Sequence, residues 1–144
     1  MSIENTGSNP IPQGKYVPAT RSGSLVFTAG MTPRKDGVLL LSGKVRRDEP
    51  IEKYKEAIRQ AASNALNAAR NMLQKEEKIV GVLSLSVFIN AEEGYIMHPK
   101  LADYASEFLC EEIGEAGIGS RAAVGVASLP SDAPVEIQMI VVAG

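Results

Sequence analysis

The stretch from Pro134 to Val142 constrains this chain most, because it carries apolar residues on both faces of one strand. Val135, Ile137, Met139 and Val141 alternate with Glu136, Gln138, Ile140 and Val142, so its far half is apolar whichever way it is turned. Successive side chains of a strand point to opposite faces, and an antiparallel sheet covered on one side normally shows a polar second face. Both faces therefore need cover. Only two stretches of the chain have helical periodicity, enough for one face of a small sheet. The other face is left for a second copy, so self-association is expected. The pattern alone does not give the number of copies.

The first helical stretch follows Pro50. Ile51, Tyr54, Ala57, Ile58, Ala61, Ala65, Leu66, Ala69, Met72 and Leu73 recur at steps of three and four, which lays one alanine-rich stripe along a helix. Asp48 or Glu49 is placed to cap it, with Pro50 in its first turn. The second helix is predicted from about Pro99 to Ile113, with Gly114 as its C-terminal cap. Ile79 to Asn90 is the clearest strand, and Leu25 to Ala29 reads as a buried strand ending at Gly30. Lys15 to Thr20 reads as a short first strand, and Val38 to Leu41 as a short run pairing with the strand before it. Ser120 to Ser128 and Pro134 to Val142, joined by Leu129 to Ala133, read as an antiparallel hairpin. The order is α+β, one mixed or antiparallel sheet with two helices on one face. Residues 1–14 are polar and read as a mobile arm preceding one domain over 15–144.

Charge and rare residues narrow the chemistry. The net charge is −2, and the nearest approach to a basic patch, Lys44, Arg46 and Arg47, runs straight into Asp48 and Glu49. That cluster reads as a solvated loop, and nucleic acid is not the expected partner. Cys110 is the one cysteine, which excludes an internal disulfide; its apolar neighbours predict a buried structural thiol. His98 is the one histidine, so a zinc site on paired histidines is excluded, and its place before Pro99 assigns it no chemistry. No apolar run approaches the ~20 residues that span a membrane. The N-terminus lacks the charged-then-apolar build of a signal peptide, so a cytoplasmic location is expected.

Residues 120–142 hold the pattern that points to a site. Arg121 shares a strand face with Ala123, Gly125 and Ala127, a guanidinium above a floor of small side chains that leaves room for a ligand. Its planar fork suits a carboxylate. Glu136 interrupts an apolar run, and a buried acid needs a partner or takes up a proton. Two readings are open on spacing alone. Either Arg121 and Glu136 form an ion pair tying adjacent strands, or Arg121 grips an anionic ligand while Glu136 orients a water or polar group.

The same block resembles the C-terminal signature of the RidA/YjgF family: an arginine, a short apolar strand, Leu129-Pro130, then the apolar-Glu-apolar triplet Val135-Glu136-Ile137. Lys15 to Ala19 resembles that family's N-terminal tyrosine segment, and Val26 to Pro33 its strand ending in Ser-Gly-Gln-x-Pro. Gly114-Glu115-Ala116-Gly117 is closest to the branch labelled endoribonuclease L-PSP. The resemblance implies a chorismate-mutase-like fold, a homotrimer with ligand sites between subunits, and hydrolysis of small enamine or imine intermediates to 2-oxo acids and ammonia without metal or cofactor. It implies that Arg121 holds the substrate carboxylate and Glu136 positions the attacking water. Tyr16, Ala29, Gly30, Asp103 and Ala123 would line the pocket. Ala29, Met31 and Ala123 stand where active members carry serine, glutamine and cysteine, and Asp103 could compete with a substrate carboxylate for Arg121. Altered specificity is the expected consequence. A non-catalytic carboxylate-binding module and an RNA-cleaving enzyme are the alternatives.

Overall fold

The computed structural model of the protein describes residues 9–144, so the first eight residues of the expected arm lie outside the described residues. Five strands form one sheet: β1 (Ala19–Ser22), β2 (Leu25–Thr28), β7 (Val135–Ala143), β5 (Ile79–Asn90) and β6 (Ser120–Val126), in that spatial order. β5 pairs parallel with β6 and antiparallel with β7, so the sheet is mixed. Two further strands, β3 (Arg34–Lys35) and β4 (Val38–Leu39), make a separate ribbon.

Two helices, α1 (Lys55–Arg70) and α2 (His98–Ile113), pack on one face of the sheet. The alanine stripe explains how α1 lies so close. Ala57, Ala61, Ala62, Ala65, Ala68 and Ala69 are all buried, leaving Ile58 and Leu66 as the large side chains of that face. Each of those two contributes about 1.5–3 kcal/mol by leaving water. Opposite them Val26, Leu85, Val87, Ile89, Val135, Ile137, Met139 and Val141 form the sheet side of the core. The register puts Leu25 with Val142, Phe27 with Ile140 and Phe88 with Val124 and Glu136 on the other face. Leu25, Phe27 and Val124 remain exposed there, as the two-faced pattern of the last strand required.

Several expectations are corrected. The predicted hairpin does not form, because β5 lies between β6 and β7. The connecting loop strides over the end of β5, where the fully buried Asn90 plugs it: its side-chain amide donates to Asp132 Oδ1 and to the Ala133 carbonyl. Ser131 and Asp132 both take positive φ, 58° and 56°, to make that crossing. Val38–Leu39 pairs with Arg34–Lys35 and not with the Leu25–Thr28 strand. Lys15 to Pro18 lies outside the first strand, which begins at Ala19. The first helical segment opens with a 3-10 turn, Ile51–Tyr54, preceded by Pro50 with no side-chain cap, so neither Asp48 nor Glu49 caps it. Cys110 is exposed on α2, its apolar neighbours Leu109 and Phe108 facing inward around it. Lys44 is not a solvated loop residue, since its ammonium donates to Asn90 Oδ1 and to the Ala127 carbonyl.

Candidate functional site

The predicted site residues fall into two groups on opposite faces of the sheet. Arg121 aligns with Leu85 of β5, whose side chain is buried on the helix face, and its guanidinium reaches α2. Nη1 donates to Asp103 Oδ1 at 2.8 Å and to Ser106 Oγ at 3.1 Å, and Nη2 donates to the Pro99 carbonyl at 3.4 Å. Ala123 shares that face and packs against the core. Gly125 follows, and a Cβ there would come within 2.7 Å of His98 Nε2. His98 itself stands edge-on to Tyr95, their ring centres 5.5 Å apart.

Glu136 aligns with Phe88 and so projects from the opposite face. Three residues of β5 separate the two registers, roughly 10 Å along the strand. The ion pair between Arg121 and Glu136 is therefore absent, and they do not sit on adjacent strands. Glu136 makes no hydrogen bond or ion pair among the described residues. Burial holds its carboxyl above the usual carboxylate range, because charge is disfavoured where water is scarce.

Gly30 is the reason the acid fits. Met31 exchanges backbone hydrogen bonds with Ile137, at 2.7 and 2.9 Å, which brings the end of the β2 segment alongside β7. A Cβ on Gly30 would collide with Glu136 Oε2, so the glycine lets the carboxylate lie where it does. Ala29 precedes it, half-buried against the core, its amide donating to the Pro18 carbonyl. Tyr16 and Gly30 share a cavity of about 320 Å³. The Tyr16 hydroxyl accepts the Gln13 backbone N–H at 3.0 Å.

Sequence reading missed the far wall of that cavity. Gln60, Asn64 and Asn67 of α1 line it, and Asn64 donates to the carbonyls of Thr32 and Arg34, fastening the turn after Gly30 to the helix. The signal was present as three carboxamides at helical spacing on the margin of the alanine stripe. Ser106 was missed as well, one turn beyond Asp103 on the same side of α2. No group of three or more histidine, cysteine or acidic side chains that could hold a metal occurs among the described residues. None of the helices described is long and apolar enough to cross a membrane.

A mixed sheet with two helices on one face, an arginine on its edge strand and an unpaired acid beside a glycine define a class of fold and site. Comparison with known proteins places the chain within it. Residues 8–140 match the family model described as "YjgF/chorismate_mutase-like, putative endoribonuclease", and the chain belongs to that family. It is 28% identical to Protein TCP17 of Trypanosoma cruzi over 131 residues, 90% of this chain and 82% of the relative. Among solved structures it is similar to Atu1372 of Agrobacterium tumefaciens, a protein described as of unknown function: 32% identity, TM-score 0.83, covering 95% of this chain and 85% of that one. TdcF of E. coli, solved with bound serine, shares the fold at 23% identity and TM-score 0.66, covering 93% of this chain and 92% of that one.

Proposed function

We propose that the protein hydrolyses small, carboxylate-bearing enamine or imine intermediates to 2-oxo acids and ammonia, in sites shared between subunits of a homotrimer. The observation that carries this reading is the unpartnered, half-buried Glu136 seated on Gly30. An acid whose proton affinity is raised by burial is better suited to taking up a proton than an ordinary surface carboxylate. Arg121 supplies the complementary charge, but from the opposite face of the sheet. One chain cannot bring both onto one small ligand; two copies can. The exposed apolar face around Leu25, Phe27 and Val124 gives them a surface to meet on. TdcF, with serine bound in its crystal structure, supports a small amino- and carboxyl-bearing ligand for the fold.

In the proposed reaction Arg121 of one subunit holds the carboxylate while Glu136 of a neighbour, with Gly30 and Tyr16, positions water. The water oxygen bonds to the C=N carbon as a proton passes to Glu136. Returned to nitrogen, that proton completes a carbinolamine; its O–H proton then passes by way of Glu136 to the nitrogen as the carbonyl forms, the C–N bond breaks and ammonia leaves. The chain's own groups supply every proton movement, and no cofactor is required.

Purified protein should accelerate 2-oxo acid release from imines generated by an amino-acid oxidase, and Arg121→Ala and Glu136→Gln should each abolish the acceleration. Rates equal to the uncatalysed ones with several amino-acid imines would refute the activity. A second reading, ligand binding without turnover, is favoured by Arg121 being already paired with Asp103 and by Ala29 and Ala123 offering no polar group. Ligand-dependent thermal stabilisation that needs Arg121, without turnover, would establish it. RNA cleavage has least support, as the chain is acidic overall and its Lys44 is tied to Asn90.

A further inference from the structure

We propose that Asp103 sets ligand preference at Arg121 by occupying, in the free protein, the place a ligand carboxylate would take. The inference rests on the reading of Arg121 as a carboxylate grip. Both hydrogens of Nη1 are committed, one to Asp103 Oδ1 at 2.8 Å and one to Ser106 Oγ at 3.1 Å. A ligand carboxylate binds an arginine best through two parallel N–H bonds, and the edge that includes Nη1 is already taken. Ser106 and the Pro99 carbonyl hold the guanidinium to α2 without help from Asp103. What Asp103 adds is therefore charge.

The two partners differ in how firmly they are held. The Arg121 side chain is 23% exposed and anchored at three points, whereas that of Asp103 is 55% exposed and bonds here only to Arg121. An ion pair so open to water is weak and screened, so a ligand can move the acid aside. A plain carboxylate nevertheless meets a neutral pair with a second anion beside it, and loses affinity. A carboxylate carrying a cationic nitrogen on the adjacent carbon finds a counter-charge in Asp103. The site thus favours ammonium- or iminium-bearing carboxylates over the corresponding 2-oxo acids. In a deaminase, that would retain the substrate and release the product.

The test is calorimetric titration of full-length protein with 2-oxobutyrate and, separately, 2-aminobutyrate. Asp103→Ala and Asp103→Asn should each bind 2-oxobutyrate about 2- to 5-fold more tightly than the wild type, the range expected for removing one solvent-exposed charge partner. Neither should gain affinity for 2-aminobutyrate. Arg121→Ala should lose 2-oxobutyrate binding in both backgrounds. Unchanged or weaker 2-oxobutyrate binding in both Asp103 variants, with binding still dependent on Arg121, overturns the role of Asp103 and leaves the grip intact. Binding that survives Arg121→Ala, or no binding by any variant, overturns the grip and the inference together.

Discussion

The neighbourhoods of Arg121 and Glu136 are opposites in electrostatic terms. Arg121 sits on an edge strand with its charge already matched: an aspartate, a hydroxyl and a carbonyl surround it. Glu136 sits one strand further in than β5, half-buried, with a glycine against its carboxylate and no hydrogen-bond or ion-pair partner among the described residues. A folded chain tolerates an unpartnered acid at some cost, since desolvation works against its charge. The contrast teaches that the two residues do different work. The arginine is already satisfied within its own chain, while the acid has no hydrogen-bond partner among the described residues.

The test with the largest expected effect would break the comparison outright. Glu136→Gln should lower imine hydrolysis by about 100-fold or more, the usual scale for losing a proton-transfer group, and Arg121→Ala should abolish it through loss of the carboxylate grip. Mixing the two inactive variants during assembly should then restore activity, up to about a quarter of wild type for random trimers in which one site keeps both groups. No recovery, in mixed trimers shown to form, would mean that the two residues do not serve one ligand.

Glycine substitutions should separate scaffold from site. A Cβ on Gly119 would strike the Val82 carbonyl, a backbone atom that cannot move aside, at the entry to the strand that bears Arg121. Gly119→Ala should cost about 2–3 kcal/mol in denaturant unfolding. Gly30→Ala would strike only the end of the Glu136 side chain. It should stay within about 1 kcal/mol of wild type, because that side chain can rotate away, yet lose hydrolysis. Equal destabilisation by both would mean that Glu136 is part of the scaffold.

Smaller effects follow from acidity. Burial raises the Glu136 pKa, so its charged form destabilises the fold. The penalty is absent below the unfolded carboxylate pKa and develops as pH rises through the folded value. Glu136→Gln should therefore be slightly more stable than wild type at neutral pH, by less than about 1 kcal/mol because the group still meets water. The difference should vanish in acid. Arg21 and Glu77 make the opposite case, with two bonds of 2.7 and 2.8 Å and a third from Arg21 to the Met72 carbonyl. The Arg21 guanidinium and the Gln74 backbone N–H hold the Glu77 carboxyl at about 2. Stability from this pair is present above the usual carboxylate pKa and fades as pH falls toward about 2. Glu77→Gln should lower the melting temperature at pH 7 and make little difference near pH 2. A constant difference across that range would show that Glu77 acts through packing.

Much of this was legible in the residues. The alternation of Ile79–Asn90, the alanine stripe of α1 and the apolar side of α2 gave elements whose local period matches the face they bury. The need for Gly30 and the isolation of Glu136 were visible only as a glycine after an apolar run and an acid within one. The supposed hairpin was read wrongly for a definite reason. Alternation reports which way a side chain points and not which strand lies beside it. A short loop between two strands is equally able to cross over a third, once Ser131 and Asp132 take left-handed turns and Asn90 fills the space beneath. Cys110 was misplaced because apolar neighbours in sequence lie about 100° apart around a helix.

By itself the sequence determined the family, the α+β class, the two-faced last strand and the identities of the arginine and the acid. Those depend on local period and residue chemistry, which survive without coordinates. Only the tertiary structure decided that β5 separates β6 from β7, that Arg121 already holds Asp103, and that Glu136 faces away from both. Those outcomes depend on which strands become neighbours, and that is settled by packing the whole sheet against its two helices.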